Sequence, residues 1–499
     1  MASCNFLPDV WTWITNLPPT TQWKSDIISI SICPSNSSLS SSSQPSLKLC
    51  VTKDLKSSSV FLSIIADYNL PIYLWTSKPQ PITNSSMKLL DSNNISNILL
   101  NFIEAVLKYC PNKNISLFRL PRIDSEKTMK DILNLVFLTL TFVICIYESP
   151  ADLRSPCLNT LKNQLACPES RAVSKTLMRL LGSNVEEQWV RTFNLGITNW
   201  IEELKSANHL LRTPSPLFSY SVSSYGMWKV QLYCPVIAME IQSSNHTPSD
   251  DRLLFSLNYH QLEGVIQLNY KVDIRDNWID VFVHTDNIRC DVVSLITETL
   301  MNERGAGTTE KHFPARISLQ LTPIMQANVL SISVGKSSEN PTTEIGFEKG
   351  IEGSFDPQTV GISISAAEST TMSIRPWKFE QSVRGASTNL NWFLHDSGDG
   401  KEVYSSRPSK FTLLQPKAWF KNRYSSVHRP FTRQGGVIFA RDEYGESVCW
   451  KVDKSVVGKS MEWEIRGWIW LTYWPNKHRT FYTETRRLEF REVLNLNLV

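Results

Sequence analysis

Eight arginines and lysines stand between Val403 and Arg441 with no aspartate or glutamate among them: Arg407, Lys410, Lys417, Lys421, Arg423, Arg429, Arg433 and Arg441. Aromatic residues interleave with them, at Tyr404, Phe411, Trp419, Phe420, Tyr424 and Phe431. A guanidinium grips phosphate or carboxylate through two parallel N–H bonds, and an aromatic ring offers a face on which a base or an apolar group stacks. The pattern therefore predicts a surface for an anionic partner: RNA, a phosphoinositide or an acidic protein segment. Arg423, Arg429 and Arg433 are the candidate anion-holding residues. Trp419 and Trp474 are the candidates for packing on the partner, Trp474 because it sits beside the basic turn Lys477, His478 and Arg479. The bland alternative is a solvated basic loop neutralised from elsewhere. The chain carries +4 overall, so the remainder outside this span carries −4 (+4 minus eight).

Other chemistry is harder to find. The ten cysteines are scattered, with no C-x-x-C pair, whereas a structural zinc site draws its four ligands from closely spaced pairs. No metal site and no cofactor is predicted. Met301–Pro314 (MNERGAGTTEKHFP) has two glycines and a lysine but not the spacing of a phosphate-cradling loop. His395–Glu402 (HDSGDGKE) lacks the bidentate acid that ends a calcium loop. The eight histidines are dispersed, and no nucleophile–base order is written locally. No catalytic residue is assigned; an enzyme whose site forms only in three dimensions is one of two alternatives to the binding reading. The other is a membrane-associated protein, held by lipid headgroups at the basic stretch or by the apolar segment Asp131–Glu148.

That segment, DILNLVFLTLTFVICIYE, is short for a span of about 20 apolar residues and is interrupted by Asn134, Thr139 and Thr141. It predicts a buried core helix rather than a membrane crossing. The opening MASCNFLPDVWTWITNLPP has neither a basic region nor a long apolar run, so no secretory signal is expected. A cytoplasmic or nuclear protein with reduced, buried thiols follows from these readings.

Three regions must position whatever the chain binds. Residues 1–84 read as short strands, IISISIC, SLKLCVT, VFLSIIAD and PIYLWTS, with a Ser-rich loop between the first two. Residues 85–212 read as helices around the 131–148 segment. Asp152, Ser170 and Asn184 are expected N-caps and Gly182 a helix stop. Trp189, Phe193, Ile197 and Ile201, with Trp200 beside them, form an apolar stripe.

Residues 213–499 read almost entirely as antiparallel strands. The expected pairings are a hairpin over 264–292 turning at Arg275–Asn277, a pair formed by 316–323 with 328–335, and hairpins over 435–453 and 461–498. In the last of these Trp463, Ile465, Ile469, Leu471 and Tyr473 share a core face, leaving Trp468 and Trp470 as a surplus on the other. The Ser/Thr-rich stretch 361–374 alternates like a solvent-facing strand; some pore-forming β proteins use such hairpins. The fold class expected is α+β, with a helical middle region and a large antiparallel β-sandwich or barrel-like C-terminal domain.

NPTTEIGFEKGIEGSFD, FTRQGGVIFARDEYGESVCWKVDKS and EIRGWIWLTYWPNK resemble segments of a family of uncharacterised land-plant proteins. The resemblance runs through most of the chain. It implies a plant source and brings no activity.

Overall fold

The computed structural model of the chain describes residues 8–33, 45–54, 58–82, 92–111, 120–121, 123, 125–206, 219–241, 251–303, 312–335, 337, 377–395, 436–440, 447–473 and 484–498. The Ser-rich loop, the stretch 361–374 and nearly all of 403–441 lie outside them.

The first half builds a sheet and a helical bundle on one core. Strands β1 (Ile27–Cys33), β2 (Ser46–Lys53), β3 (Ser59–Asp67) and β4 (Ile72–Thr76) run antiparallel in that order, with β5 (Gln80–Pro81) against β3. Two-residue alternation of aliphatic side chains sends Leu47, Leu49, Val51, Leu62 and Ile64 into the core. The strand reading of 1–84 omits one element. α1 (Val10–Thr15) forms because the Asp9 carboxylate accepts the Thr12 amide at 3.0 Å, closing the first turn of VWTWIT.

The helices α2 (Ser92–Leu107), α3 (Glu126–Tyr147), α4 (Ala151–Leu165), α5 (Pro168–Leu181) and α6 (Ser183–Ser206) follow. α3 touches α1, α2, α4, α5 and α6, and every residue from Leu135 to Ile146 is buried. Its two interrupting threonines fit because each hydroxyl donates to the carbonyl one turn back, Thr139 to Leu135 and Thr141 to Phe137, both at 2.9 Å. Among the described residues it is the one helix long and apolar enough to cross a membrane, and 78% of that apolar window is buried inside the protein. The stripe Trp189, Phe193, Ile197 and Ile201 lies in the same core, which extends back to Val10.

Gly182 ends α5 at φ +76°, as expected of a residue without Cβ. The expected N-caps are corrected. Pro150 precedes α4, and the Cys167 thiol caps α5 by accepting the Ser170 amide at 3.4 Å. Asn184 lies inside the first turn of α6. In each case the helix starts one or two residues before the polar residue that sequence spacing favoured.

The second half is a sandwich of two antiparallel sheets. Its elements are β6 (Ser219–Ser224), β7 (Met227–Pro235), β8 (Glu240–Ile241), α7 (Asp251–Asn258), β9 (His260–Ile274), β10 (Trp278–Ser294), α8 (Glu298–Glu303), β11 (His312–Pro323), β12 (Val329–Val334), β13 (Trp377–Arg384), β14 (Ser387–Leu394), β15 (Gly436–Ala440), β16 (Ser447–Asp453), β17 (Ser460–Tyr473) and β18 (Glu484–Asn497). One sheet runs β12-β16-β10-β9-β7-β6 with β15 also on β10; the other runs β13-β14-β11-β17-β18-β8. Neither closes into a barrel. Their inner faces share one core, joined through Trp228, Trp450 and Trp463, with ring centroids 5.6 and 6.1 Å apart.

The β9–β10 and β17–β18 hairpins pair as expected, Ile274 opposite Ile279 and Trp463 opposite Leu494. Two expected pairings do not form. β11 pairs with β14 and β17, whereas β12 pairs with β16 in the other sheet. β15 and β16 do not face each other; both lie along β10, at Asn287–Cys290 and Trp278–His284. Alternation specifies a strand's faces but not its neighbour.

Candidate functional site

Trp419, Arg423, Arg429, Arg433 and Trp474 all lie outside the described residues, so the structure neither gathers nor separates them. The described flanks are anchored in different sheets. β15 begins three residues after Arg433, on β10, and Tyr473, fully buried, pairs with His312. The surplus tryptophans that precede Trp474 already have partners. The Arg316 guanidinium lies 4.5 Å from the Trp470 ring and 4.7 Å from that of Phe393, and Arg466 lies 5.0 Å from Trp468. Cation–π contacts thus occupy faces that would otherwise stack on a ligand.

A different site comes from the corner where the helical half meets the sandwich. Beyond Arg487 no strand among the described residues pairs in register with the outer edge of β18, since β8 pairs only with Arg486 and Arg487. β6 faces that edge and meets it with side chains. Ser219, Ser221 and Ser223 alternate onto one face. Ser219 donates to the Glu492 carboxylate at 2.8 Å, Ser221 donates to the Val493 carbonyl at 2.8 Å, and Ser223 accepts the Asn495 amide at 2.9 Å. The Trp228 indole donates to the Asn495 carbonyl at 2.9 Å. An exposed strand edge is a liability, and this serine ladder satisfies it without a strand partner.

Above the ladder lies a groove of about 920 Å³, lined by α5, the β6–β7 hairpin, β9 and β18. The hairpin turns in two residues, Tyr225 and Gly226. Gly226 adopts φ +75°, which a side chain would resist. The Tyr270 amide and hydroxyl donate to the Gly226 and Ser224 carbonyls, both at 2.9 Å, and so pin the turn to β9. The turn leaves Tyr225 wholly exposed at the rim.

The electrostatics of the groove are one-sided. Arg179, in the last turn of α5, donates to the Ser221 carbonyl at 2.6 Å and forms no ion pair among the described residues. The neighbouring Lys175 is neutralised by Glu492 at 2.6 Å, which leaves Arg179 as the uncompensated cation of that helix end. Lys271, on β9, reaches Asp273 at 3.0 Å. No carboxylate is among the described residues lining the groove. They offer Arg179 and Lys271, the hydroxyls of Ser221, Ser223, Ser224, Tyr225 and Tyr270, and the amides of Asn495 and Asn497. Such a lining suits a ligand that accepts hydrogen bonds and carries negative charge. Sequence reasoning missed it because its serines are individually ordinary; the Ser-x-Ser-x-Ser spacing of 219–223 was the available signal.

Three charged clusters, one half-buried and two buried, compare unfavourably as sites. Arg191 grips Glu263 with two bonds at 2.7 and 2.9 Å, across the junction of α6 with β9. Tyr220 donates to Glu186 at 2.5 Å, and burial, outweighing the downward pull of that bond, pushes the Glu186 carboxyl above its usual value. These tie the two halves together. In the sandwich, His312 Nε2 meets Glu484 at 2.8 Å, and the Arg486 guanidinium donates to Glu484 at 2.5 Å and to the Val236 carbonyl at 2.7 Å. Burial opposes ionisation of Glu484, but the His312 bond and Arg486 outweigh it and hold the carboxylate well below its usual range. Burial likewise holds the His312 imidazole below its usual value, ahead of the opposing pull of Glu484. With His312 and Glu484 almost completely enclosed, this cluster is not open to a substrate. Among the described residues no group of histidine, cysteine or acidic side chains is arranged to hold a metal ion.

No family model matches the chain, and no curated protein matches it. Among solved structures it is similar to Clostridium perfringens delta-toxin, at 6% identity and a TM-score of 0.23 over 56% of this chain and 96% of that one. It is also similar to the Clostridium perfringens NetB toxin in its membrane-inserted form, at 10% identity and a TM-score of 0.17 over 56% and 98%. At those scores the likeness neither places the fold nor bears on activity.

Proposed function

We propose that this chain is a non-enzymatic binding protein whose groove takes a phosphorylated, hydroxyl-rich headgroup. The observation that supports this is the lining: two cations, five hydroxyls and two amides, and no acidic side chain among the described residues. Arg179 would hold the phosphate, with Lys271 supporting it from β9, and Tyr225 would pack against the ring or chain that carries it. The basic, aromatic stretch 403–441 would add a second anionic contact, and a cytoplasmic or nuclear location goes with this reading. A lipid headgroup and a free inositol phosphate share the chemistry. RNA and acidic proteins are the competing anions.

Titration calorimetry with inositol 1,4,5-trisphosphate tests the groove. Each charge-assisted contact is worth about 1.5–3 kcal/mol, so losing both in Arg179→Gln with Lys271→Gln weakens binding by on the order of 10²- to 10⁴-fold. Vesicles containing phosphoinositide, run in parallel, separate a membrane ligand from a soluble one: Tyr225→Ala lowers vesicle binding more than soluble binding if the rim meets a bilayer. Unchanged affinity in the double variant, or no binding of either probe by the parent, sinks the reading.

A further inference from the structure

Four connections of the sandwich meet at one end of it. The β9–β10 turn (275–277) lies there with the end of β16, since Trp278 pairs with Asp453. The β16–β17 connection (454–459) leaves from that point and enters β17 at Ser460, opposite Asn497. The β11–β12 connection (324–328) runs from Pro323, opposite Trp463, to Val329, opposite Val452. The β13–β14 turn (385–386) joins them, because Thr388 pairs with Leu321 near the same end of β11. The loops are tied down. Lys454 Nζ donates to the Asp276 carbonyl at 2.8 Å, the Gly458 amide to the Leu498 carbonyl at 2.7 Å and the Ile324 amide to the Glu462 carbonyl at 2.9 Å.

This end is apolar where it meets solvent. Ile274, Ile324, Met325, Leu330, Val383 and Val457 are exposed on it, Met325 to 60% and Leu330 to 56%. The opposite end exposes two large apolar side chains among the described residues, Ile241 and Leu300. Single exposed aliphatics are ordinary, but six gathered around neighbouring loops mark an interaction surface. Cations stand among them. The connections and the strand residues that enter them carry Arg275, Arg384, Lys454 and Lys459 against one acid, Asp276. Arg275 pairs with Asp280 at 3.1 Å, whereas Arg384, Lys454 and Lys459 form no ion pair among the described residues. Asp453 is turned to cap the Ser455 amide at 2.8 Å, and Glu462 stands farther back along β17.

The groove opens beside this end. Its β6–β7 turn is pinned to β9 at Tyr270, just before Ile274, and its Asn495 and Asn497 lie on the part of β18 that pairs with the start of β17. We infer that this end of the sandwich docks on an anionic membrane, its six aliphatic side chains entering the interface while the groove takes a phosphoinositide headgroup. For its lipid selectivity the inference rests on the headgroup reading of the groove. Aliphatic side chains interspersed with lysine and arginine suit the boundary between acyl chains and phosphates, where the apolar groups are buried and the cations stay among the anionic heads. Tyr225, at the groove's rim, adds a ring of the kind that settles at headgroup level. A protein partner fits less well, since protein interfaces favour aromatic residues and are depleted in lysine.

Vesicle flotation of the intact chain tests this. Vesicles of phosphatidylcholine alone are compared with vesicles that also contain phosphatidylserine or phosphatidylinositol 4,5-bisphosphate. The parent floats with the anionic vesicles, most with the bisphosphate, and not with phosphatidylcholine alone. Met325→Ser with Leu330→Ser lowers the partition coefficient by roughly 10-fold or more, since each half-exposed side chain gives up about half the gain of full burial. Its denaturation midpoint and its inositol 1,4,5-trisphosphate affinity stay at the parent's values. Met325→Leu with Leu330→Met, which keeps the apolar surface, floats like the parent. Flotation of the serine variant equal to the parent's, or a parent that floats with none of the vesicles, overturns the docking even where the trisphosphate binds. Flotation that depends on Met325 and Leu330 in a parent that does not bind the trisphosphate upholds the docking surface and removes the headgroup reading of the groove. Self-association through the same two residues in sedimentation, without flotation, assigns the surface to a second copy of the chain and overturns the inference.

Discussion

Phe490 lies opposite Gly467 in the β17–β18 pairing, and its ring fills the space a side chain at Gly467 would occupy. A Cβ built on Gly467 would come within 2.1 Å of the ring. Glycine is otherwise a poor strand residue, costing roughly 0.5–1 kcal/mol relative to alanine. Here it makes room for an aromatic that covers the bare backbone, as in designed sheets where a ring shields a glycine.

Gly467→Ala should therefore destabilise the sandwich by roughly 1–3 kcal/mol through overpacking. Phe490→Ala should cost roughly 3–5 kcal/mol through the cavity it leaves. The two are coupled. With the ring gone, alanine at 467 fits and its effect falls to near zero or turns favourable. Urea denaturation of the four-member cycle measures this. An equal cost for Gly467→Ala in both backgrounds would refute the pairing as its cause.

The buried His312–Glu484–Arg486 cluster makes stability depend on pH with a definite sign. Both His312 and Glu484 have folded values depressed below their ordinary 6.5 and 4.5. Between folded and unfolded values the unfolded chain binds more protons, so stability falls as pH falls. His312 acts first, below about pH 6.5, and Glu484 adds its share below about pH 4.5. His312→Gln keeps a donor for Glu484 and removes the titration. The decline between pH 6.5 and 5 should be shallower in that variant, read from denaturation midpoints. An identical decline would assign the acid sensitivity to other groups.

Much of the local structure was legible because it rests on periodicity. IISISIC is β1 to the residue, and the four-residue stripe from Trp189 to Ile201 is buried along its length. The strand partners were not legible. β11 and β12 are separated in sequence by only a short connection, yet they belong to opposite sheets, since similar alternating strands compete for each neighbour. The groove was illegible for a related reason: Arg179, Tyr225 and Asn495 come from three distant elements and acquire a common purpose only where β6 meets β18. Glu492 shows the limit most plainly. It falls on the inward parity between Phe490 and Leu494, and nothing local announces that Lys175 and Ser219 wait for it.

Cys145 has no exposed surface and sits in the most enclosed helix of the chain. In reduced, folded protein it should be among the slowest cysteines to react with iodoacetamide, trailing the half-buried Cys167 and Cys449. Timed alkylation followed by peptide mapping gives the order. Early modification of Cys145 would contradict the packing of α3. Carbonate extraction of membranes gives an independent check: retention as an integral membrane protein would mean that α3 leaves this core.

The basic stretch makes a prediction separable from the groove. If 403–441 binds a polyanion, its affinity falls steeply with salt. Each phosphate neutralised contributes about −0.9 to the slope of log K against log salt on duplex nucleic acid, and about −0.7 on single strands. Arg423→Gln, Arg429→Gln and Arg433→Gln together remove three cations while keeping polar bulk. On single-stranded RNA the slope should shrink by roughly 2 if all three touch phosphates. Trp419→Ala acts differently, costing about 1–3 kcal/mol if a base stacks there and leaving the slope nearly unchanged. Anionic vesicles would reproduce the charge dependence without the tryptophan effect. Because Arg179 and Lys271 are retained in the triple variant, its inositol 1,4,5-trisphosphate affinity, compared with the parent's, separates the groove from those three arginines. Binding of RNA and vesicles that matches the parent would leave 403–441 a solvated basic loop and the groove as the sole anion site proposed.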